Sequence, residues 1–156
     1  MKHLKGLALA AAAAALLAMP YPAAAAGSTP MAAINQAVID FNKGDYNGWA
    51  AACASPSQII DDFPPHVWSG PTACSDWVTS FQAFVKKSKM TSMTVILGTP
   101  WKMAIAGNVA YVVLPVTFHF NQNGKPMKLL GSVMTIALKK SAGGWLMTGW
   151  AWADGH

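Results

Sequence analysis

The sequence predicts an α+β domain, with three N-terminal helices packed on one face of a curved, antiparallel-rich sheet. Three observations carry this. Apolar residues recur at helical spacing as far as Met90 and alternate afterwards. Turn signals at Gly107-Asn108, "NQNG" (121 to 124) and "SAGG" (141 to 144) cut the later part into strand-length pieces. Helices lead and strands follow, and that order suits helices gathered on one face of an antiparallel sheet. A length of 156 residues at 53% hydrophobic content suits one domain with a real core.

The chain opens on "MKHLKGLALAAAAAALLAMPYPAAAAG", with Lys2 and Lys5 before an apolar run from Leu7 to Met19. Small residues from Ala23 to Ala26 follow, so residues 1 to 26 read as a secretory signal with an Ala-x-Ala cleavage site. The run is short for a bilayer and Pro20 and Pro22 close it; an uncleaved anchor is the alternative. Residues 27 to 156 read as the single folded domain.

The first helix lies in "STPMAAINQAVIDFNKGD". Ser28 or Thr29 is the cap, Pro30 sits in the first turn, and Ile34, Val38 and Phe41 make the apolar face before Gly44. "YNGWAAACAS" (46 to 55) reads as a short second helix carrying Trp49 and Cys53. "SQIIDDF" is a short strand stopped by Pro64 and Pro65. "SGPTACSDWVTSFQAFVKKSK" is the third helix, with Pro71 in its first turn and Trp77, Phe81, Phe84 and Val85 on one face. "TSMTVILGTPWKMAIAG", "NVAYVVLPVTFHFN", "KPMKLLGSVMTIALKK" and "GWLMTGWAWAD" then read as strands.

Charge excludes some function classes. The net charge is +5, with 11 basic residues, all lysine, and six acids, all aspartate. Arginine, the residue best suited to grip phosphate, is absent, and the lysines are scattered apart from "KKSK" (86 to 89) and Lys139-Lys140. Nucleic-acid binding is not expected despite a pI near 9.4. There is no His-x-His or His-x-x-x-His pair, no glycine-rich phosphate loop and no Gly-x-Ser-x-Gly elbow, so no metal or cofactor is expected. In an exported chain the two cysteines, Cys53 and Cys74, favour a disulfide; two buried thiols are the alternative.

The order of elements resembles the nuclear transport factor 2-like superfamily, which includes ketosteroid isomerases and SnoaL-like polyketide cyclases. The likeness covers about residues 30 to 153 and rests on "NKGDYNGW", "IIDDFPPHVWSG", "GPTACSDWVTSF" and "GGWLMTGWAWA" in that order. It implies a cone-shaped sheet wrapped around helices, one deep apolar pocket, and often a homodimer. It also implies that the ends carrying Cys53 and Cys74 lie close together.

"IIDDFPPHVWSG" places Asp61 and Asp62 in an apolar run. Strand alternation puts Ile59, Asp61 and Phe63 on one side, and Ile60 and Asp62 on the other. Periodicity alone does not choose between the two acids. The resemblance leans to Asp61, because in ketosteroid isomerases the catalytic aspartate precedes the Ser-Gly that opens the third helix by eight residues, as Asp61 precedes Ser69 here. A carboxylate in an apolar pocket gains proton affinity and becomes a better base. The alternative is a turn whose carboxylates accept backbone N–H groups. The isomerases also use a tyrosine on the first helix and a later acid, and neither is present in residues 30 to 43 or 91 to 139. Replacement donors are sought among Trp68, Tyr111, His119, Trp150 and Trp152. His66 is placed to exchange a proton with Asp61, although a loop histidine also serves as plain surface. Trp77 and Trp145 read as core; Trp150 and Trp152 suit the wall of a pocket for a flat apolar ligand as well as core. The expected function is an exported domain with a pocket for a small apolar molecule and acid/base chemistry at Asp61. A non-catalytic binding or oligomerising module on the same fold is the alternative.

Overall fold

The computed structural model describes residues 27–155; residues 1 to 26, expected from the sequence to be a secretory signal, lie outside the described residues. Thr29 caps α1 (Pro30–Asn42), its Oγ1 accepting the Ala32 N–H at 3.1 Å. Ala33, Ile34, Ala37, Val38 and Phe41 form its buried stripe. Asp45 caps α2 (Tyr46–Ala51) by accepting the Gly48 N–H at 2.9 Å. The second helix is shorter than the sequence suggests. Pro56 has no N–H and holds Ser55 extended, so the chain is already a strand at Cys53. This is β1 (Cys53–Ile60).

The loop after the aspartates returns as a strand that the sequence reading missed. β2 (Val67–Gly70) pairs antiparallel with β1, setting Ile59 opposite Trp68. Four residues behind two prolines are too few to display a period. Ser69 and Gly70 therefore sit in this strand and do not open the third helix. That helix, α3 (Ala73–Lys87), follows Thr72, with Pro71 outside it. Its buried face carries Ala73, Cys74, Trp77, Val78 and Phe81, and Lys86 and Lys87 in the last turn complement the helix dipole. A Cys53–Cys74 disulfide joins the start of β1 to the first turn of α3.

Five more strands follow: β3 (Met90–Leu97), β4 (Lys102–Ala106), β5 (Val109–Gln122), β6 (Lys125–Ser141) and β7 (Gly144–Ala153). The stretch read as one strand from 91 to 107 is two, because "GTP" at 98–100 breaks it. The sheet order is β2-β1-β7-β6-β5-β3, with β4 also on β5. Only β1 and β7 run parallel. One edge of β5 is shared end to end: β4 takes Val109 to Val113, and β3 takes Val116 to Gln122. A register shift between Val116 and Phe118 lies just past the junction, with the extra residue on β6, between Leu129 and Ser132.

Alternation along β5 sorts the two faces. Ala110, Val112, Leu114, Val116, Phe118 and Phe120 are buried towards the helices. Asn42 at the end of α1 reads the β3 backbone as a strand would, its Nδ2 donating to Val95 O and its Oδ1 accepting the Val95 N–H, both at 2.8 Å. The helices are thus tied to the sheet edge by hydrogen bonds as well as by packing.

Candidate functional site

Between helices and sheet lies a cavity of about 170 Å³. Of its sixteen lining residues ten are aromatic, and they come from all three helices, from the β1–β2 loop and from β5 and β7. Trp77 stacks on Phe81 at 5.0 Å and meets the edge of Trp150 at 5.0 Å. Met90, Leu129 and Met134 complete most of the apolar wall, and the polar lining is Asp61, Asp62 and Gln122.

Asp61 is 8% exposed. It is held by its own hairpin and by α3. Its N–H donates to His66 O at 2.9 Å, closing the loop between β1 and β2. Its Oδ1 accepts the Asp62 N–H and its Oδ2 accepts the Trp77 indole N–H, both at 2.8 Å. Burial strips water from the carboxylate and, with the Asp62 carboxyl beside it, lifts the Asp61 pKa from 3.8 to about 8. The Trp77 and Asp62 N–H groups act the other way, because they favour the anion.

Asp62 is exposed and also lines the cavity, so both aspartates border the same space. The alternation argument allowed only one. The alternation of burial runs on to Phe63, but β1 ends at Ile60 and the chain turns there, so the exposed Asp62 still borders the cavity. The Asp62 carboxyl also reaches Asp154, just past β7, whose pKa is raised by burial first and by Asp62 next. Trp152 Nε1 donates to Asp154 Oδ1 at 2.7 Å, and Ser132 Oγ donates to the same atom at 3.4 Å. Three of the chain's six aspartates thus meet at one side of the cavity.

The other sequence candidates divide. Trp150 and Trp152 line the cavity. Tyr111 and His119 do not, which corrects the pocket reading for both: their alternation partners Val112 and Phe118 take the inner face, leaving them on the outer one. Trp68 is buried, but it packs on Phe63 at 5.1 Å and donates to Ser80 Oγ at 3.1 Å, outside the lining. His66 is exposed, and its Nδ1 lies 3.1 Å from the backbone carbonyl of Asp61. The turn after the two prolines, with His66 at φ 73°, directs it away from the Asp61 carboxyl, so the expected proton exchange has no contact behind it. Among the described tryptophans, Trp77, Trp152 and Trp68 have committed their N–H groups, whereas the buried Nε1 atoms of Trp49 and Trp150 have no partner. Sequence reasoning missed Asp154 and the role of Trp77. Asp154 was readable, because Trp150, Trp152 and Asp154 share one strand period. Nothing in the sequence separates Trp77 from an ordinary core tryptophan.

No family model matches the sequence, and no curated protein matches it. Solved structures do match in shape. A nuclear transport factor 2-like superfamily protein from Salmonella enterica superposes with a TM-score of 0.65 at 18% identity, over 80% of this chain and 87% of that one. A ketosteroid isomerase-like protein from Erwinia carotovora gives 0.63 at 16% identity, over 80% and 92%. The CaMKII hub of S. rosetta gives 0.61 at 14% identity, over 80% and 93%. Helices on one face of a seven-stranded, mostly antiparallel sheet, closing on an aromatic cavity, give this chain the nuclear transport factor 2-like fold.

Proposed function

We propose that the protein is exported, holds one small apolar molecule in its aromatic cavity, and transfers a proton at Asp61. The carrying observation is a carboxyl on the cavity wall whose proton affinity is centred near neutral pH. A group that titrates close to the working pH can both give and take a proton. The Trp77 N–H holds its orientation; the eight-residue spacing to Ser69 gives no support, because Ser69 and Gly70 lie in β2 and do not open α3. The charge that develops on a substrate oxygen needs a donor. Tyr111 and His119 lie on the wrong face; Trp150 lines the cavity with its ring, and its N–H, buried and without a partner, would serve as that donor only after turning towards the ligand.

The test is deuterium uptake next to the carbonyl in a panel of small apolar ketones, with wild type and Asp61→Asn compared. Uptake that Asp61→Asn abolishes supports the proposal. Ketones that bind without exchange overturn the catalytic part and leave a binding module.

A second reading concerns the outer face. Val113, Thr135 and Ala151 stand in register across β5, β6 and β7, beside Tyr111 and Ala137. This apolar strip supports a homodimer formed sheet to sheet.

A further inference from the structure

We infer that the molecule bound in this cavity carries a positively charged nitrogen, seated beside Asp61 with its apolar body among the indoles. The inference rests on reading the cavity as a ligand site. It starts from an imbalance of charge. Asp61 is 8% exposed and accepts two N–H hydrogen bonds, an arrangement suited to an anion. No lysine or histidine is among the residues lining the cavity. Its nearest charged neighbours, Asp62 and through it Asp154, are themselves acids. A buried carboxylate normally has a cation beside it. Here the chain carries a net charge of +5, yet it lines the cavity with two of its six acids, couples a third to them, and places no lysine or histidine in the lining.

The walls point the same way. The rings of Trp49, Trp77 and Trp150 lie 5.7, 5.8 and 5.0 Å apart in pairs, a cluster of electron-rich faces. Such faces attract a cation, most strongly when water is excluded. An anionic ligand would meet the carboxyls of Asp61 and Asp62, with Asp154 coupled to Asp62. A neutral one would leave Asp61 in its protonated form. An ammonium group would convert it to the carboxylate and expel the proton, so the ligand itself would generate the base that the empty site lacks at neutral pH. The titratable groups that bear on this are few. Asp62 and His66 share the Asp61 loop and Asp154 follows β7, while α1, α2, α3, β3, β5 and β6 contribute no titratable side chain to the lining.

The experiment compares two probes of one shape, phenyltrimethylammonium and tert-butylbenzene, by calorimetry and tryptophan fluorescence at pH 7. The cation is expected to bind about tenfold more tightly. Its binding should release protons, seen as a heat that changes with the ionisation enthalpy of the buffer. In Asp61→Asn the preference and the proton release should disappear while tert-butylbenzene still binds, which also reports that the variant is folded. If that variant does not fold, the wild-type comparison and its proton release decide alone. Tert-butylbenzene binding as tightly as the cation, or more tightly, overturns the inference and leaves the apolar pocket standing. Binding of neither probe overturns the pocket and the inference together.

Discussion

Asp61 holds its proton more tightly in the folded chain than in the unfolded one, and stability must follow. Its contribution is fully present below the ordinary value of 3.8 and is lost as pH rises towards about 8. Asp154 shifts in the same direction. Thermal unfolding followed from pH 5 to pH 9 should therefore show a falling midpoint in wild type, and a flatter one in Asp61→Asn. The Trp77 N–H opposes the shift, so Trp77→Phe should move the Asp61 midpoint above that of wild type, measured by carbon-13 NMR of the carboxyl. A wild-type Asp61 that titrates like an exposed acid would sink both expectations. The sequence made this residue legible in part. Period-two alternation puts Asp61 beside Ile59 and Phe63, and all three are buried while Ile60 and Asp62 are exposed. The partner Trp77 was not legible, because helical periodicity describes a face and not the single atom that a side chain aims at a carboxylate.

Among the elements, β7 approaches the backbone of β1 closely at Gly149. A Cβ added at Gly149 would stand 2.6 Å from Gln58 O, a backbone atom with little freedom to move. Gly149→Ala should lose about 1–3 kcal/mol in denaturant titration. The Cys53–Cys74 bridge spans 21 residues and encloses most of β1 and all of β2. In the chain-entropy view a loop of that size contributes about 3 kcal/mol, so replacing both cysteines by alanine should lower unfolding stability by roughly that amount. The helices were legible because caps, prolines and a 3.6-residue stripe agree at Thr29, Pro30, Ile34 and Phe41. Strand ends were less so. β2 is too short to show a period, and the β3–β4 break depends on which part of β5 each strand meets, which is a tertiary matter.

On the scale of the whole molecule, the sheet presents one apolar face to the helices and another outwards. If that outer face is a dimer contact, Val113→Lys should shift the mass seen by light scattering from dimer to monomer and leave the cavity untouched, since Val113 points away from it. A wild-type monomer at micromolar concentration would count against the contact. The α+β class was legible because it depends on the order of patterns along the chain. The cavity was not, because it is assembled from residues as distant as Phe41 and Trp152. That distance has a consequence for how the protein comes into being. β7 follows every other described element in sequence, yet it lies between β1 and β6, and the β1–β2 hairpin reaches the rest of the sheet through it alone. During synthesis, then, the first hairpin can pack on α3 but cannot join the sheet until β7 emerges. Trp150, Trp152 and Asp154 arrive with it, so the binding wall and the keystone of the sheet are completed in the same event. Such non-local closure makes for slow folding, and a nascent chain cut before Gly144 would have neither a cavity nor a closed sheet.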